Sequence, residues 1–482
     1  MFNIYKLTTC SLALGLVLSG CATQTAYYRE MNSLVSAGKY DNASALAENS
    51  KNKEYGDKNA LLYLLDRGLL LHLAGKYQES SETFEQAKAL SESLFTKSIT
   101  AEASTFLISD NMRPYYGEDY ERALLHVFSA LNYVMLDNEG EALVEARQVD
   151  SFLTTLETNY GRKNTYKEDA FARYLMGMLY ENQGEVNDAY ISYYRALEGY
   201  KVYGADYGTK VPEELVSDAL RLARKLGNTD DIVQIKKDWP DIIAREPEQK
   251  NFDKNLGEAV LVCYLGAAPY KIDNFFEISF GRAWLYVESA DVSEDEEEKF
   301  DQAGAIARSI ISEEQIRMAF PKYADSKYRA GSVKAELTAD STGYGFSGSG
   351  SLAEDIGSIA KKNLEDKNAR TNVKTIVRAT IKFVLAHEIA SKVQDRSNNE
   401  VLGWLTKKIL SAASAATELA DKRSWRLLPD KIYVVRVKAP AGEYRLKMNV
   451  LDDWGAGIET REFENVVIKP GKKTFVIART TQ

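Results

Sequence analysis

Two stretches of this chain carry the same glycine and aromatic spacing, and that repeat restricts the fold more than any other feature of its 482 residues. In the first, Leu61, Leu64, Gly68, Leu71, Gly75, Tyr77, Ser80, Phe84 and Ala87 fall at helical offsets; in the second, Gly177, Tyr180, Gly184, Ala189, Tyr193 and Ala196 fall at the matching ones. A small residue at a crossing lets two antiparallel helices approach closely, an aromatic fills the adjoining hole, and a glycine between them turns the chain. One such helix pair cannot bury its apolar face alone, so units of this kind stack. The 29 tyrosines fit the same scheme, because many lie inside helical patterns where they fill wide helix–helix gaps.

The spacing resembles that of a tetratricopeptide repeat. Weaker units hold Gly38, Tyr40 and Ala43, then Ala130, Tyr133, Ala142 and Ala146, with Gly227 closing a terminal unit after Pro212. Stacked units leave a concave face lined by the first helix of each pair, a surface suited to segments of other proteins. The register puts Leu124, Val127, Leu131, Phe171, Tyr174, Met178, Glu181 and Asn182 on that face. They either line an open partner groove or pack against another part of the same chain. His72 and His126 also lie on first helices and read as packed or capped side chains rather than ligands.

After Trp239-Pro240 the pattern changes, which places a domain boundary near residue 248. Ala259 to Leu265 is a continuous apolar run, and Tyr444, Leu446, Met448 and Val450 alternate with polar residues, so both are strands. Further strands fall at Ile432 to Lys438, Glu462 to Ile468 and Thr474 to Ala478, with turns at Pro440-Ala441-Gly442 and Pro470-Gly471. Between the strand groups, Ser341 to Ser351 is rich in glycine and serine and reads as a flexible connection. Three helical patterns follow and make an inserted helical segment at about 352–425. Val373, Ile376, Val377, Thr380, Ile381 and Val384 form a wide apolar stripe edged by Lys374, Arg378 and Lys382, which suits either contact with lipid or a partner or, as the stronger reading, a helix covering one face of a sheet. Gly403, Ala412, Ala413, Ala415 and Ala416 give the last helix a smooth face.

At the N-terminus, a lone Lys6 precedes an apolar stretch to Leu18 and then Ser19-Gly20-Cys21, the form of a secretory signal over residues 1–20. Leu18 to Cys21 resembles the lipobox of bacterial lipoproteins. That resemblance implies diacylglycerol on the Cys21 thiol and, with Ala22 next, sorting to the outer membrane, on its periplasmic side or the cell surface. Cleavage also removes Cys10, leaving lipidated Cys21 and apolar Cys263, so no intramolecular disulfide forms. The formal charge of −9 lacks the concentrated basic face that nucleic acid requires.

Catalytic motifs are missing from the pattern. His387-Glu388 has no second histidine at zinc spacing, and glycines 343, 345, 348 and 350 precede no Gly-Lys-Ser or Gly-Lys-Thr. Glu118, Asp119 and Glu121 stand where the helix dipole favours acids, and Glu294 to Glu298 reads as a solvated loop. Asp421, Arg423 and Trp425 form either an interface anchor or a structural junction where a helix meets a strand.

Taken with Gly117 to Arg122, Ala267-Ala268-Pro269, Asp421 to Trp425, Leu428-Pro429 and Pro440-Ala441-Gly442, the chain resembles a group of bacterial lipoproteins with tetratricopeptide-like repeats. The expected fold is α+β: a signal peptide (1–20), a helical solenoid (21–247), and a β-sandwich-like domain with a helical insertion (248–482). The expected function is a membrane-anchored, non-enzymatic scaffold for envelope protein partners, needing no metal or cofactor. The alternatives are a cell-wall-active enzyme and a lipid or lipoprotein carrier.

Overall fold

The computed structural model describes residues 26–101, 110–160, 166, 168–245, 255–289, 301, 303–308, 310, 312–339, 343–397 and 419–482. Eleven helices open these described residues: α1 (26–36), α2 (Tyr40–Asn49), α3 (Ala60–Leu73), α4 (Tyr77–Ala101), α5 (Asp119–Met135), α6 (Glu139–Tyr160), α7 (Ala170–Gln183), α8 (Val186–Asp206), α9 (Glu213–Leu226), α10 (Thr229–Asp238) and α11 (Pro240–Arg245). They stack as antiparallel pairs for the reason the spacing gives. A Cβ added at Gly68 would lie 2.3 Å from the Phe84 ring, and one at Gly177 would lie 2.2 Å from that of Tyr193, so α3 on α4 and α7 on α8 need glycine at the crossing. Asp169 caps α7 by accepting from Ala172 N at 2.7 Å, and Gly184 ends it in the left-handed conformation.

Nine strands follow: β1 (Leu256–Leu265), β2 (Tyr270–Ser279), β3 (Gln315–Ala324), β4 (Ala330–Thr338), β5 (Gly345–Asp355), β6 (Lys431–Pro440), β7 (Gly442–Asp452), β8 (Gly457–Ile468) and β9 (Lys473–Thr480). Seven make one sheet in the order β8-β7-β4-β5-β6-β1-β9, with β1–β9 its parallel pair. The protein is therefore α+β, a helical repeat half followed by a β-rich half. The first part of β5 pairs with β4 and its second part with β6, so one strand joins two layers that enclose a common core. Leu261, Cys263, Val435, Leu446, Met448, Val466 and Val476 meet in that core. The end strands β8 and β9 are tied by Thr474 Oγ1 donating to Val467 O at 2.7 Å, so the sheet curls almost into a barrel.

That pairing corrects the reading of Ser341 to Ser351 as a flexible connection, for most of it is strand β5. Its glycines admit close backbone instead of supplying freedom. A Cβ at Gly348 would lie 2.4 Å from Arg436 O, and one at Gly350 would lie 2.9 Å from Val333 O.

The helical segment begins with α14 (Ile356–Ser397), a single helix of 42 residues and about 63 Å, preceded in the chain by α12 (Phe280–Glu288) and α13 (303–307). Its Val377, Ile381 and Val384 do cover a sheet, but a small one. They pack on Ile316 and Met318 of the two-stranded β2–β3 ribbon and on Phe280, Ala283 and Val287 of α12. Ile356, Ile359 and Ala360, at the other end of α14, join the main core. Cys21, the boundary near 248 and the smooth face from Gly403 to Ala416 lie outside the described residues.

Candidate functional site

Strand β1 is buried on both faces, which explains its unbroken apolar run. Ala259, Leu261, Cys263 and Leu265 point into the barrel, whereas Val260, Val262 and Tyr264 point out of it. The outward set, with Ile432, Val434 and Phe475, shares one core with Leu124, Val127, Leu131, Phe171, Tyr174 and Met178. The barrel wall thus fills the concave face of the repeat. Of the two readings of that face, intramolecular packing is the one observed, and the expectation of an open groove is corrected. The physical reason lies in β1 and β6, whose outward faces need an apolar cover that the repeat supplies.

Polar contacts fix the register of this seam. With Nδ1 of His72 carrying the proton, Tyr264 donates to Nε2 (3.1 Å), Nδ1 donates to Asn132 Oδ1 (2.6 Å), Asn132 donates to Ser80 Oγ (2.8 Å), and Ser80 donates to Gly68 O (2.7 Å). Burial brings the His72 pKa down to about 4, against the opposing hydrogen bond to Asn132, so the ring is neutral at pH 7. His126 meets Glu145 Oε2 at 3.0 Å.

Further along, Arg436 donates to Tyr174 OH (2.9 Å) and to Glu258 through Nε (2.8 Å) and NH2 (2.6 Å), and it also pairs with Asp218. Arg221 bridges Asp218 and Glu181, and Lys473 reaches Glu181 at 2.8 Å. Asn182 exchanges hydrogen bonds with the Lys473 backbone at 2.9 and 2.7 Å. Burial opposes the charge on Asp218, but Arg436 and Arg221 outweigh it and hold the carboxyl well below the usual carboxylate range. Glu181 and Asn182, expected to face a partner, face β9 of their own chain.

Asp421, Arg423 and Trp425 form a structural junction. Arg423 Nε and NH2 bind Asp421 at 2.8 and 2.7 Å, and NH1 donates to Arg113 O at 2.7 Å. Trp425 is buried against Phe84 and Phe128, and its backbone N–H donates to Glu121 Oε1 at 2.7 Å. Glu121 accepts as well from Tyr115 OH and from Glu118 N, so it caps α5 as its position suggests. Glu118 does more. It binds Lys271 of β2 at 2.5 Å and Lys367 of α14 at 2.8 Å, and the Tyr120 and Tyr323 hydroxyls stand 3.1 Å apart. Sequence reasoning missed this clamp, because the residues that bond across it are 153 to 249 positions apart in the chain.

Tyr323 of this clamp also lines a cleft of about 600 Å³ between the β2–β3 ribbon and α14. Asn274, Phe276, Phe320 and Lys322 line one wall, and Lys361, Glu365, Asn372, Val373 and Ile376 the other, with Tyr286 of α12 at the edge. Phe276 packs against Phe320 with the rings tilted and their centroids 5.4 Å apart, yet it stays 49% exposed. Sequence reasoning also missed this surface, since adjacent Phe275-Phe276 breaks the alternation that marks a strand.

Among the described residues, no group of three or more His, Cys, Asp or Glu is placed to hold a metal ion, and no helix is long and apolar enough to cross a membrane. No family model and no curated protein matches the chain. Solved structures that resemble it slightly include the following three. BtubC from P. vanneervenii is 14% identical with a TM-score of 0.30, covering 52% of this chain and 97% of that one. MamA AMB-1 is 16% identical with a TM-score of 0.26, covering 48% and 96%. The nearly identical TPR-like repeats of a Podosopora anserina kinesin light chain are 15% identical with a TM-score of 0.28, covering 47% and 97%. Likeness this slight carries no functional weight, and the repeat assignment stands on its own geometry.

Proposed function

We propose that this chain is a lipid-anchored envelope scaffold that holds a protein partner at the cleft between the β2–β3 ribbon and α14. The observation that carries the reading is where exposed aromatic surface lies. The concave face of the repeat is filled by the barrel, whereas Phe276, Tyr286 and Val373 are exposed together in the lining of the cleft. Such a patch ringed by polar groups, here Lys322, Lys361, Glu365 and Asn372, has the composition of a protein interface. Anchoring rests on Cys21, five residues before α1, a span of at most about 18 Å, so the acylated cysteine holds the repeat close to the bilayer. The outer membrane is the proposed location.

A lipid or lipoprotein carrier needs an enclosed apolar cavity, and this cleft is open and partly charged. A wall-active enzyme has no observation in its favour. The test is photocrosslinking in cells from position 274, at the cleft wall, against position 233 on α10. The reading expects a discrete protein adduct from 274 that Phe276→Asp abolishes without lowering the thermal midpoint, and none from 233. Equal labelling from both positions would remove the cleft as the binding site. Cys21→Ser tests the anchor separately and should move the protein out of the membrane fraction.

A further inference from the structure

A second cleft, of about 370 Å³, opens where α1, the loop before β2, the turn after β3 and the end of β9 meet. Arg479 stands in its wall and is only 3% exposed. Its NH1 donates to Leu427 O at 2.6 Å and its NH2 to Gly266 O at 3.4 Å, while Nε is buried with no acceptor. Among the described residues, no carboxylate pairs with it. Burial lowers the guanidinium pKa to about 10, and the groups that act against this are the phenols of Tyr40 and Tyr264. Arg436, equally buried, is by contrast met by Asp218 and Glu258.

The remaining lining strengthens the imbalance. Lys327 has no ion-pair partner among the described residues, and Asp325, the acid in the lining, is taken by Lys361 at 2.5 Å. The side chains of Asn32 and Ser36, on the α1 wall, make no hydrogen bond among the described residues and are free to donate. A chain of net charge −9 thus keeps one buried and one exposed cation, both without an anion, around a cavity large enough for a small ligand. A buried cation without an anion costs free energy that a bound anion offsets.

We propose that this cleft is a binding site for a phosphate group, with Arg479 supplying the field and Lys327, Asn32 and Ser36 the contacts. Two sources share that chemistry: a free phosphate compound and a phospholipid headgroup. Only the second rests on the anchoring at Cys21. The site itself does not.

The test follows thermal midpoints of the full mature chain against inorganic phosphate and against glycerophosphoglycerol, with chloride keeping ionic strength constant. Ligand that binds only the folded state raises the midpoint in a saturable way. The proposal expects such a rise with at least one probe, weakened at least fivefold in apparent affinity by Lys327→Glu and abolished by Ser36→Trp, which fills the cleft. Both changes fall at exposed positions, so folding is retained even where Arg479→Met fails to fold. Tighter binding of glycerophosphoglycerol assigns the headgroup, and tighter binding of phosphate assigns a free compound. No saturable rise with either probe, or a rise that survives both substitutions, would overturn the site. Cys21→Ser leaves this binding intact whether or not the anchor reading holds, so the two fail independently.

Discussion

Replacing Tyr174 by alanine separates a groove that awaits a partner from a seam already closed. Tyr174 is fully buried on α7, its ring lies 6.1 Å from that of Tyr193, and its hydroxyl accepts from Arg436. Removing a buried aromatic ring costs about 3 to 5 kcal/mol through lost transfer energy and the cavity left behind. Arg436 keeps Asp218 and Glu258, so no orphaned charge adds to that figure. Tyr174→Phe removes the hydroxyl alone and should cost about 1 to 2 kcal/mol. Urea denaturation reads both as a lower midpoint at unchanged slope. Arg445→Ala is the control, since Arg445 pairs with Glu464 on the surface and such a pair contributes under about 1 kcal/mol. If Tyr174→Ala stays within about 0.5 kcal/mol of the parent, the side chain is not core and the closed seam is wrong.

Gly177→Ala places its Cβ inside the space of the Tyr193 ring, and overpacking of this kind should cost about 1 to 3 kcal/mol by urea midpoint; an unchanged midpoint would dismiss the helix crossing at that glycine. His72 gives the acid limb. Its folded pKa of about 4 lies below the unfolded value of about 6.5, so as pH falls through that window the unfolded state takes the proton first and about 3 kcal/mol of stability is lost. His72→Gln lacks that proton site, so the stability gap between variant and parent should narrow between pH 7 and pH 4.5; a constant gap would mean that His72 titrates as an exposed histidine.

What could be read from the sequence was what neighbouring residues decide. The glycine and aromatic spacing of α3–α4 and α7–α8 is local, and it survives in the structure position by position. Strand β5 was not legible because its glycines mimic a linker; their real cause is the backbone of β4 and β6 on either side. The closed groove left a trace that could have been followed. A strand of ten residues with no polar alternation, Leu256 to Leu265, needs cover on two faces, and the repeat is the large apolar surface available. Arg436, set among valines in β6, was a second trace, because a buried arginine demands acids that no neighbouring residue provides. The cleft at the ribbon left none, since its walls come from segments whose spacing in the chain is arbitrary.

The most direct measurement of the central claim, that the barrel closes the concave face of the repeat, is thiol labelling at Met178→Cys in the mature chain. Met178 is fully buried in the seam, and Cys263, fully buried on the barrel side of β1, serves as an internal reference. With the face closed, both thiols react only through unfolding, so Cys263 and the new thiol label together and slowly, and urea accelerates both alike. Labelling at position 178 near the rate of a free thiol, while Cys263 stays protected, would contradict the account and restore an open groove.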